Sequence, residues 1–373
     1  MRLLLAFDSF KGSLTSLEAA EAFGEGWHAA DPTADIVAIE VADGGEGTAA
    51  ALVSAQGGEW REVEVSNPVG RTITSRYGIA GKRAIIESAA ACGLTLIDAE
   101  EHNPLKTTTY GVGELIADAI NNGYRDIVIC LGGSATNDGG VGMLQALGYR
   151  FLASDGRELR GGGEILSSIA TIDCTDANKA LRECRFTIAS DVDNPLTGER
   201  GASHIYAPQK GADSAMVETL ERGMKNYADV VTHQLNIDKS AIAGVGAAGG
   251  LGYALLSFMS AELRSGIETV LEATDFEHKA KGVDLIITGE GRLDHQTAMG
   301  KAPGGILRVA QRLGIKCIAV GGSIAECAEL TDSGFDALYA ITPEGMPIAE
   351  ATKKEVAKEN LRHTAYRIAK DYF

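Results

Sequence analysis

Carboxylates recur beside glycines at five points in this chain. Asp8 opens Asp8-Ser9-Phe10-Lys11-Gly12-Ser13, and Asp43 opens Asp43-Gly44-Gly45-Glu46-Gly47-Thr48. Asp138 follows Gly132, Gly133, Ser134, Thr136 and Asn137, with Gly139 and Gly140 behind it. Asp191 and Asp193 stand two apart before Asn194-Pro195, and Glu290 and Asp294 flank Arg292 in Gly289-Glu290-Gly291-Arg292-Leu293-Asp294. Carboxylates in such settings hold a divalent cation or move a proton. Glycines let the backbone approach a phosphate closely. Lys11 and Arg292 supply positive charge for an anionic ligand.

Each of these segments follows an apolar run with strand character: 3–7, 36–41, 127–131, 186–190 and 284–288. Ligands of open α/β sheets bind beyond the carboxyl ends of the strands. Five acidic, glycine-rich strand ends therefore read as the rim of an active site.

The intervening segments are mostly helical. Thr15-Ser16-Leu17-Glu18 is a capping box, after which Leu17, Ala20, Phe23 and Trp27 share a face until Asp31-Pro32. A helix follows from about Thr48. Residues 62–88 change character: short alternating runs separated by Asn67-Pro68 and Ala80-Gly81-Lys82 predict antiparallel strands. Val112, Leu115, Ile116, Ala119 and Ile120 mark an amphipathic helix stopped by Gly123. Helices are expected over 140–147, 213–233 and 247–261, a strand over 149–153, and a long loop around glycines 161–163. From 283 the α/β rhythm returns, with strands at 284–288, 317–321 and 337–341 and helices at 304–313 and from about 350. The expected fold is α/β: a Rossmann-like or flavodoxin-like parallel-sheet domain, 1–61 plus 283–373, with a second α/β or α+β domain, 62–282, inserted into it.

Composition narrows the function. Fifty-one acidic residues against 34 Lys and Arg leave a net charge of −17, which repels nucleic acid and anionic membranes. No apolar run reaches the ~20 residues of a membrane span. Six cysteines show no CxxC spacing, so neither a disulfide framework nor a structural zinc site is expected. No signal peptide is evident, and a reduced, cytoplasmic protein is expected. The 46 glycines sit in loops after strands rather than in a low-complexity tract.

Some motifs have plain alternatives. The Asp8 to Ser13 segment, taken alone, better describes an ordinary βα turn with a solvated lysine, since such loops are often polar. Asp191 and Asp193 face one way only if the segment is extended, and Asn194-Pro195 is a good turn by itself. Lys210, in Pro208-Gln209-Lys210-Gly211, matters only if it faces the same rim. Gly244-Val245-Gly246-Ala247-Ala248-Gly249 matches G-x-G-x-x-G, but no strand-like run precedes it, which favours a packing or phosphate loop over a dinucleotide site. There is no P-loop, no protein-kinase signature, no nucleophile elbow and no histidine pair for a metal.

Taken together and in order, DSFKGS (8–13), ADGGEGT (42–48), GGSATNDGG (132–140), DVDNPL (191–196), APQKGA (207–212), GAAGGLG (246–252) and ITGEGRLD (287–294) resemble the bacterial type-1 glycerate kinase family. The resemblance spans residues 8 to 294. It implies ATP- and Mg²⁺-dependent phosphorylation of D-glycerate, with 2-phosphoglycerate as the favoured product. It also implies a two-domain α/β protein with its active site in the cleft between domains. Phosphoryl transfer needs cations, a held metal and a base, and the rim residues can be matched to these needs. Asp191 is the expected base, with Lys11, Asp8 and Arg292 catalytic beside it. Ser9, Lys210, Asp294 and Glu290 are expected to bind substrate, with Lys11, Lys210 and Arg292 meeting phosphates or the substrate carboxylate. Gly132, Gly133, Ser134, Thr136, Asn137, Asp138, Gly249 and Gly250 are expected around the nucleotide phosphates. Asp193 and Asp43 are the expected metal ligands, with Asp8 near the metal as well. A homodimer fits this picture. Two other classes stay open: an NAD-dependent dehydrogenase of a small hydroxy acid, and a non-catalytic sugar-acid-binding protein.

Overall fold

A computed structural model describes residues 1–299, 301–325 and 327–372. Its strands are β1 (Arg2–Phe7), β2 (Asp35–Ala38), β3 (Glu59–Ser66), β4 (Thr72–Ala80), β5 (Arg83–Glu87), β6 (Asp126–Cys130), β7 (Arg150–Leu152), β8 (Thr171–Asp173), β9 (Arg185–Ala189), β10 (Glu262–Arg264), β11 (Leu285–Leu293), β12 (Lys316–Ile324) and β13 (Ala337–Ala340). The chain divides into two compact units. One comprises Met1–Asp43, Ala50–Gln56 and Gly266–Phe373; the other comprises Gly44–Ala49 and Gly57–Ser265.

These limits differ from the expected 62 and 283. β3 already starts at Glu59, so the hairpin carries residues 57–61 into the second unit. The helices Gly266–Ala273 and Phe276–Ala280 belong to the first unit, with Ile267 lying against Gly305 of the helix Ala302–Leu313. The strand signal at 284 marks the start of a strand, not the start of the unit.

The first unit is a five-stranded sheet in the order β13-β12-β11-β1-β2, every pair parallel. Numbered within the unit, that is the 2-1-3-4-5 order of a flavodoxin-like doubly wound sheet. Parallel strands covered on both faces read as continuous apolar runs, which explains Leu3-Leu4-Leu5 and Leu285-Ile286-Ile287, all fully buried. Phe7, Phe23 and Trp27 form an aromatic line through the core. The capping box forms as expected: Thr15 Oγ1 accepts from the Glu18 N–H, and Glu18 accepts from the Thr15 N–H. Leu17 is not part of the buried face. In the first turn of its helix it stays 41% exposed, while Ala20, Phe23 and Trp27 are buried.

β11 corrects a second expectation. It does not end at Thr288 but continues through Gly289-Glu290-Gly291-Arg292-Leu293, in parallel register with β12 as far as Leu293↔Ile324. A Cβ on Gly289 would lie 2.0 Å from the Val320 carbonyl oxygen. The glycine there permits close strand approach rather than ending the strand.

The second unit holds a six-stranded sheet ordered β10-β9-β6-β5-β4-β3. β3, β4 and β5 pair antiparallel, as the alternating pattern predicts, while β5, β6, β9 and β10 are parallel. Val112, Leu115, Ile116, Ala119 and Ile120 of the helix Tyr110–Asn121 enter its core. The stretch after glycines 161–163 is partly ordered, as a 3₁₀ helix over Gly163–Ser168.

Candidate active site

In the first unit the strand order reverses between β1 and β11, the topological switch point where such sheets bind ligands. β1 delivers Asp8 there and β11 delivers Glu290. Asp8 is buried, its Oδ1 accepting from the Ser9 N–H at 2.7 Å. Its Oδ2, with Ser9 Oγ and Ser13 Oγ, is buried without a hydrogen-bond partner among the described residues. Burial holds the Asp8 carboxyl well above the usual range. Asp43 and Glu290 push it the same way, against the pull of Lys11 and the Ser9 N–H. Lys11 Nζ lies 3.7 Å from Asp43 Oδ2. Desolvation alone would depress its ammonium, but Asp43, Asp8 and Glu290 together raise it. Burial also raises Glu290, against a 2.6 Å hydrogen bond from Thr297 Oγ1 and the charge of Lys301. Arg292 is exposed, 3.8 Å from Asp294 Oδ2.

Beside these groups lies a cavity of about 400 Å³ contained in this unit, with Asp8 and Asp43 outside its lining. Ser9, Lys11, Glu290, Arg292 and Asp294 line it. Lys301, Ser323, Ile341, Thr342 and Ile348 also line it and were not expected. Their signal in the sequence is weak: a lysine before Ala302-Pro303 and an isolated isoleucine after Pro347.

The second unit carries the other loops. Asp191 follows β9, and its Oδ1 accepts from Ser265 Oγ at 2.7 Å. Asp193 is ion-paired with Arg200 at 2.7 Å on an exposed stretch. The segment after Ala189 pairs with no strand. Asn194 turns back: its carbonyl accepts from the Gly244 and Gly246 N–H groups.

The 132–140 loop turns mostly inward. Gly133 is exposed and Gly132 half-buried, whereas Ser134, Thr136, Asn137 and Asp138 are buried. Lys210 is fully buried and donates to Ser134 Oγ at 2.9 Å and to the Thr136 carbonyl at 2.6 Å. Asn137 Nδ2 donates to Ser203 Oγ. The Asp138 carboxylate accepts from the Thr109 N–H and Oγ1 and from the N–H groups of Gly140 and Gly142. Burial still raises its pKa against those donors. Gly249 and Gly250 sit on this loop: Gly249 has φ of +70°, and a Cβ there would lie 2.1 Å from the Thr136 carbonyl oxygen. The G-x-G-x-x-G stretch is therefore a packing loop braced on another loop, with no strand in 236–246 before it.

Lys210 yields a prediction. Burial pushes its ammonium down to about 8, from an unfolded value near ~10.4. The cost of burying the charge is fully present below the folded value and is relieved as pH rises from there to the unfolded one. Wild type should therefore gain thermal stability relative to Lys210→Met between pH 8 and 10. A constant difference across that range would show that Lys210 does not titrate there.

A flavodoxin-like sheet carrying a lysine and carboxylates at its switch point is the frame of an α/β enzyme for small anionic ligands. The whole chain extends this physical class to a family. Residues 3–372 match the model of the glycerate kinase family. The glycerate kinase of Bacillus subtilis is 44% identical over 99% of this chain and 97% of its own length. The glycerate 2-kinase of Escherichia coli K12 is 42% identical over 91% and 90%. A crystal structure from Salmonella typhimurium LT2, of a protein assigned provisionally as glycerate kinase 2, superposes with a TM-score of 0.82 at 41% identity, covering 100% of this chain and 98% of that one. The chain belongs to the glycerate kinase family and is an enzyme, a kinase. Among the described residues no helix is long and apolar enough to cross a membrane.

Proposed function

We propose that this chain transfers the terminal phosphoryl group of ATP to D-glycerate in the cytoplasm, with Mg²⁺, and that 2-phosphoglycerate is the product. The observation that carries the reading is the buried, unpartnered Asp8 Oδ2 beside Lys11 and Asp43 at the switch point. The name of the Escherichia coli relative favours the 2-position.

Among the described residues no three His, Cys, Asp or Glu side chains are placed to enclose a metal. Magnesium does not need such a cage: it keeps several waters and binds through one or two carboxylates plus substrate phosphates. Asp8 and Asp43 fit that requirement, since the first has a free buried oxygen and both lie near Lys11. Asp193, already paired with Arg200, fits less well. The metal would neutralise phosphate charge.

The remaining roles fall to the chain. Asp191, oriented by Ser265, takes the proton of the attacking glycerate hydroxyl. That oxygen bonds to the γ-phosphorus as the bridging P–O bond breaks, and ADP leaves with the electron pair. Lys11 and Arg292 face phosphate oxygens or the substrate carboxylate. The exposed Gly133 offers backbone to a phosphate. Ser134, Thr136, Asn137, Asp138, Lys210, Gly249 and Gly250 act at one remove, by holding that loop in shape.

A coupled assay tests the reading. ADP should appear only with ATP, Mg²⁺ and D-glycerate together. L-Glycerate, glycerol and lactate should be poor, because each lacks the configuration, the carboxylate or a hydroxyl. Equal turnover of glycerol would sink the idea, since a cation for the substrate carboxylate is central to it. An absorbance change with a nicotinamide cofactor would favour the dehydrogenase class. Binding of D-glycerate without turnover would favour the sensor.

A further inference from the structure

The cavity at the switch point is polarised along the sheet. Its lining from the β1 and β11 side carries Lys11, Glu290, Arg292, Asp294 and, beyond β11, Lys301. Its lining from the β13 side, within residues 341–357, carries no charged side chain: it comprises Ile341, Thr342, Ile348, Ala351, Thr352 and Ala357. The sheet order places β1 and β13 three strand steps apart, roughly 14 Å at ~4.8 Å per step. Glycerate has three carbons, a carboxylate and two hydroxyls. It can use the charged end but offers nothing to the apolar one, and it cannot span both. A cavity near 400 Å³ suits a far larger ligand.

Ile348 sharpens the point. It opens the short helix Ile348–Ala351 and is 81% exposed, more than any other large apolar side chain among the described residues. Ile341, behind it, is buried. An aliphatic side chain left in water at the mouth of an otherwise apolar recess offers a flat, greasy cover for a ring.

We propose that the 341–357 wall seats the base of the nucleoside triphosphate, with the phosphates running along the sheet toward Arg292 and Lys11. This rests on the reading that ATP is the phosphoryl donor. Ile348 and Ala351 cover the faces of the ring, and Ile341 and Ala357 form the floor. The residues that set nucleotide affinity beyond the phosphates thus come from the last fifth of the chain, outside every glycine-rich motif.

Calorimetric titration of the intact protein with ATP, and separately with inorganic tripolyphosphate, tests the placement in wild type, Ile348→Asn and Ala351→Gln. Ile348 is exposed and Ala351 only half-buried, so thermal unfolding of both variants should match wild type. Losing one apolar cover should raise the ATP Kd about tenfold. Tripolyphosphate affinity and the KM for glycerate should stay within about twofold. ATP affinity unchanged in both variants would overturn the base placement alone. Equal loss for ATP and tripolyphosphate would also overturn it, by assigning the wall to the phosphates. Wild type that gives no heat with ATP would remove the donor reading, and this proposal with it.

Discussion

Asp191→Asn is expected to lower kcat by about 10²–10⁴-fold, the usual contribution of a positioned general base, while ATP binding changes little. The substitution keeps size and shape and removes only the ability to take a proton. Asp191 stands at the carboxyl end of β9, and its Oδ1 accepts a 2.7 Å hydrogen bond from Ser265 Oγ. That bond holds the carboxylate in one orientation. Ser265→Ala should accordingly give a milder fall in kcat, because it loosens the carboxylate without neutralising it. Steady-state kinetics at several Mg²⁺ concentrations separate base from ligand. A metal-ligand role predicts that Asp191→Asn recovers activity as Mg²⁺ rises, whereas a lost base is not restored by metal. Near-normal kcat at ordinary Mg²⁺ would remove both roles and move the search to Asp8 or Asp294.

The second large effect is on stability. Asp138→Ala should lower the unfolding free energy by about 3–5 kcal/mol. The carboxylate is fully buried and accepts from the Thr109 N–H and Oγ1, the Gly140 N–H and the Gly142 N–H. Truncation strands these donors in a site closed to water, at ~1–3 kcal/mol for each group left unpaired. Asp138→Asn should be intermediate, since its amide still accepts through one oxygen but presents N–H to N–H at the other. Urea unfolding followed by circular dichroism gives both values. A loss below about 1 kcal/mol for the alanine variant would mean that the loop re-forms its bonds without the carboxylate.

Asp138 also shows how far the residue pattern can be read. That 132–140 was special was legible, because a turn rarely needs so many hydroxyl, amide and acidic groups at once. Which way they pointed was not. Lys210, 74 residues beyond Thr136, turns the loop inward by donating to its carbonyl, and no local pattern encodes that pairing. The flavodoxin-like sheet was legible because buried parallel strands leave continuous apolar runs. The continuation of β11 was not, because Gly289 and Gly291 look like strand breakers until the neighbouring β12 backbone is seen to need the space. Lys11, Asp8 and Glu290 stand out in the sequence by their places after apolar runs, and the switch point brings them together. The cavity wall at Ile341 and Ile348 had no chemical signature at all. Aliphatic residues in a late loop and a one-turn helix are ordinary until the topology sets them on the same cavity as Lys11.

The insertion of the second unit between β2 and β11 has a consequence for how the protein is born. β1 is an interior strand of its sheet, between β2 and β11, yet its partner β11 begins at Leu285. At ribosomal speeds of ~5–20 residues per second, roughly 15–60 s pass between the emergence of the two. Throughout that interval Leu3, Leu4 and Leu5 have only the short β2 and the helix Ser16–Ala30 beside them, while Gly57–Ser265 emerges as one contiguous piece able to collapse on its own core. The later-numbered unit should thus finish first, and the amino terminus last, leaving one of the most apolar segments of the nascent chain as a client for whatever in the cell shields unpaired strands.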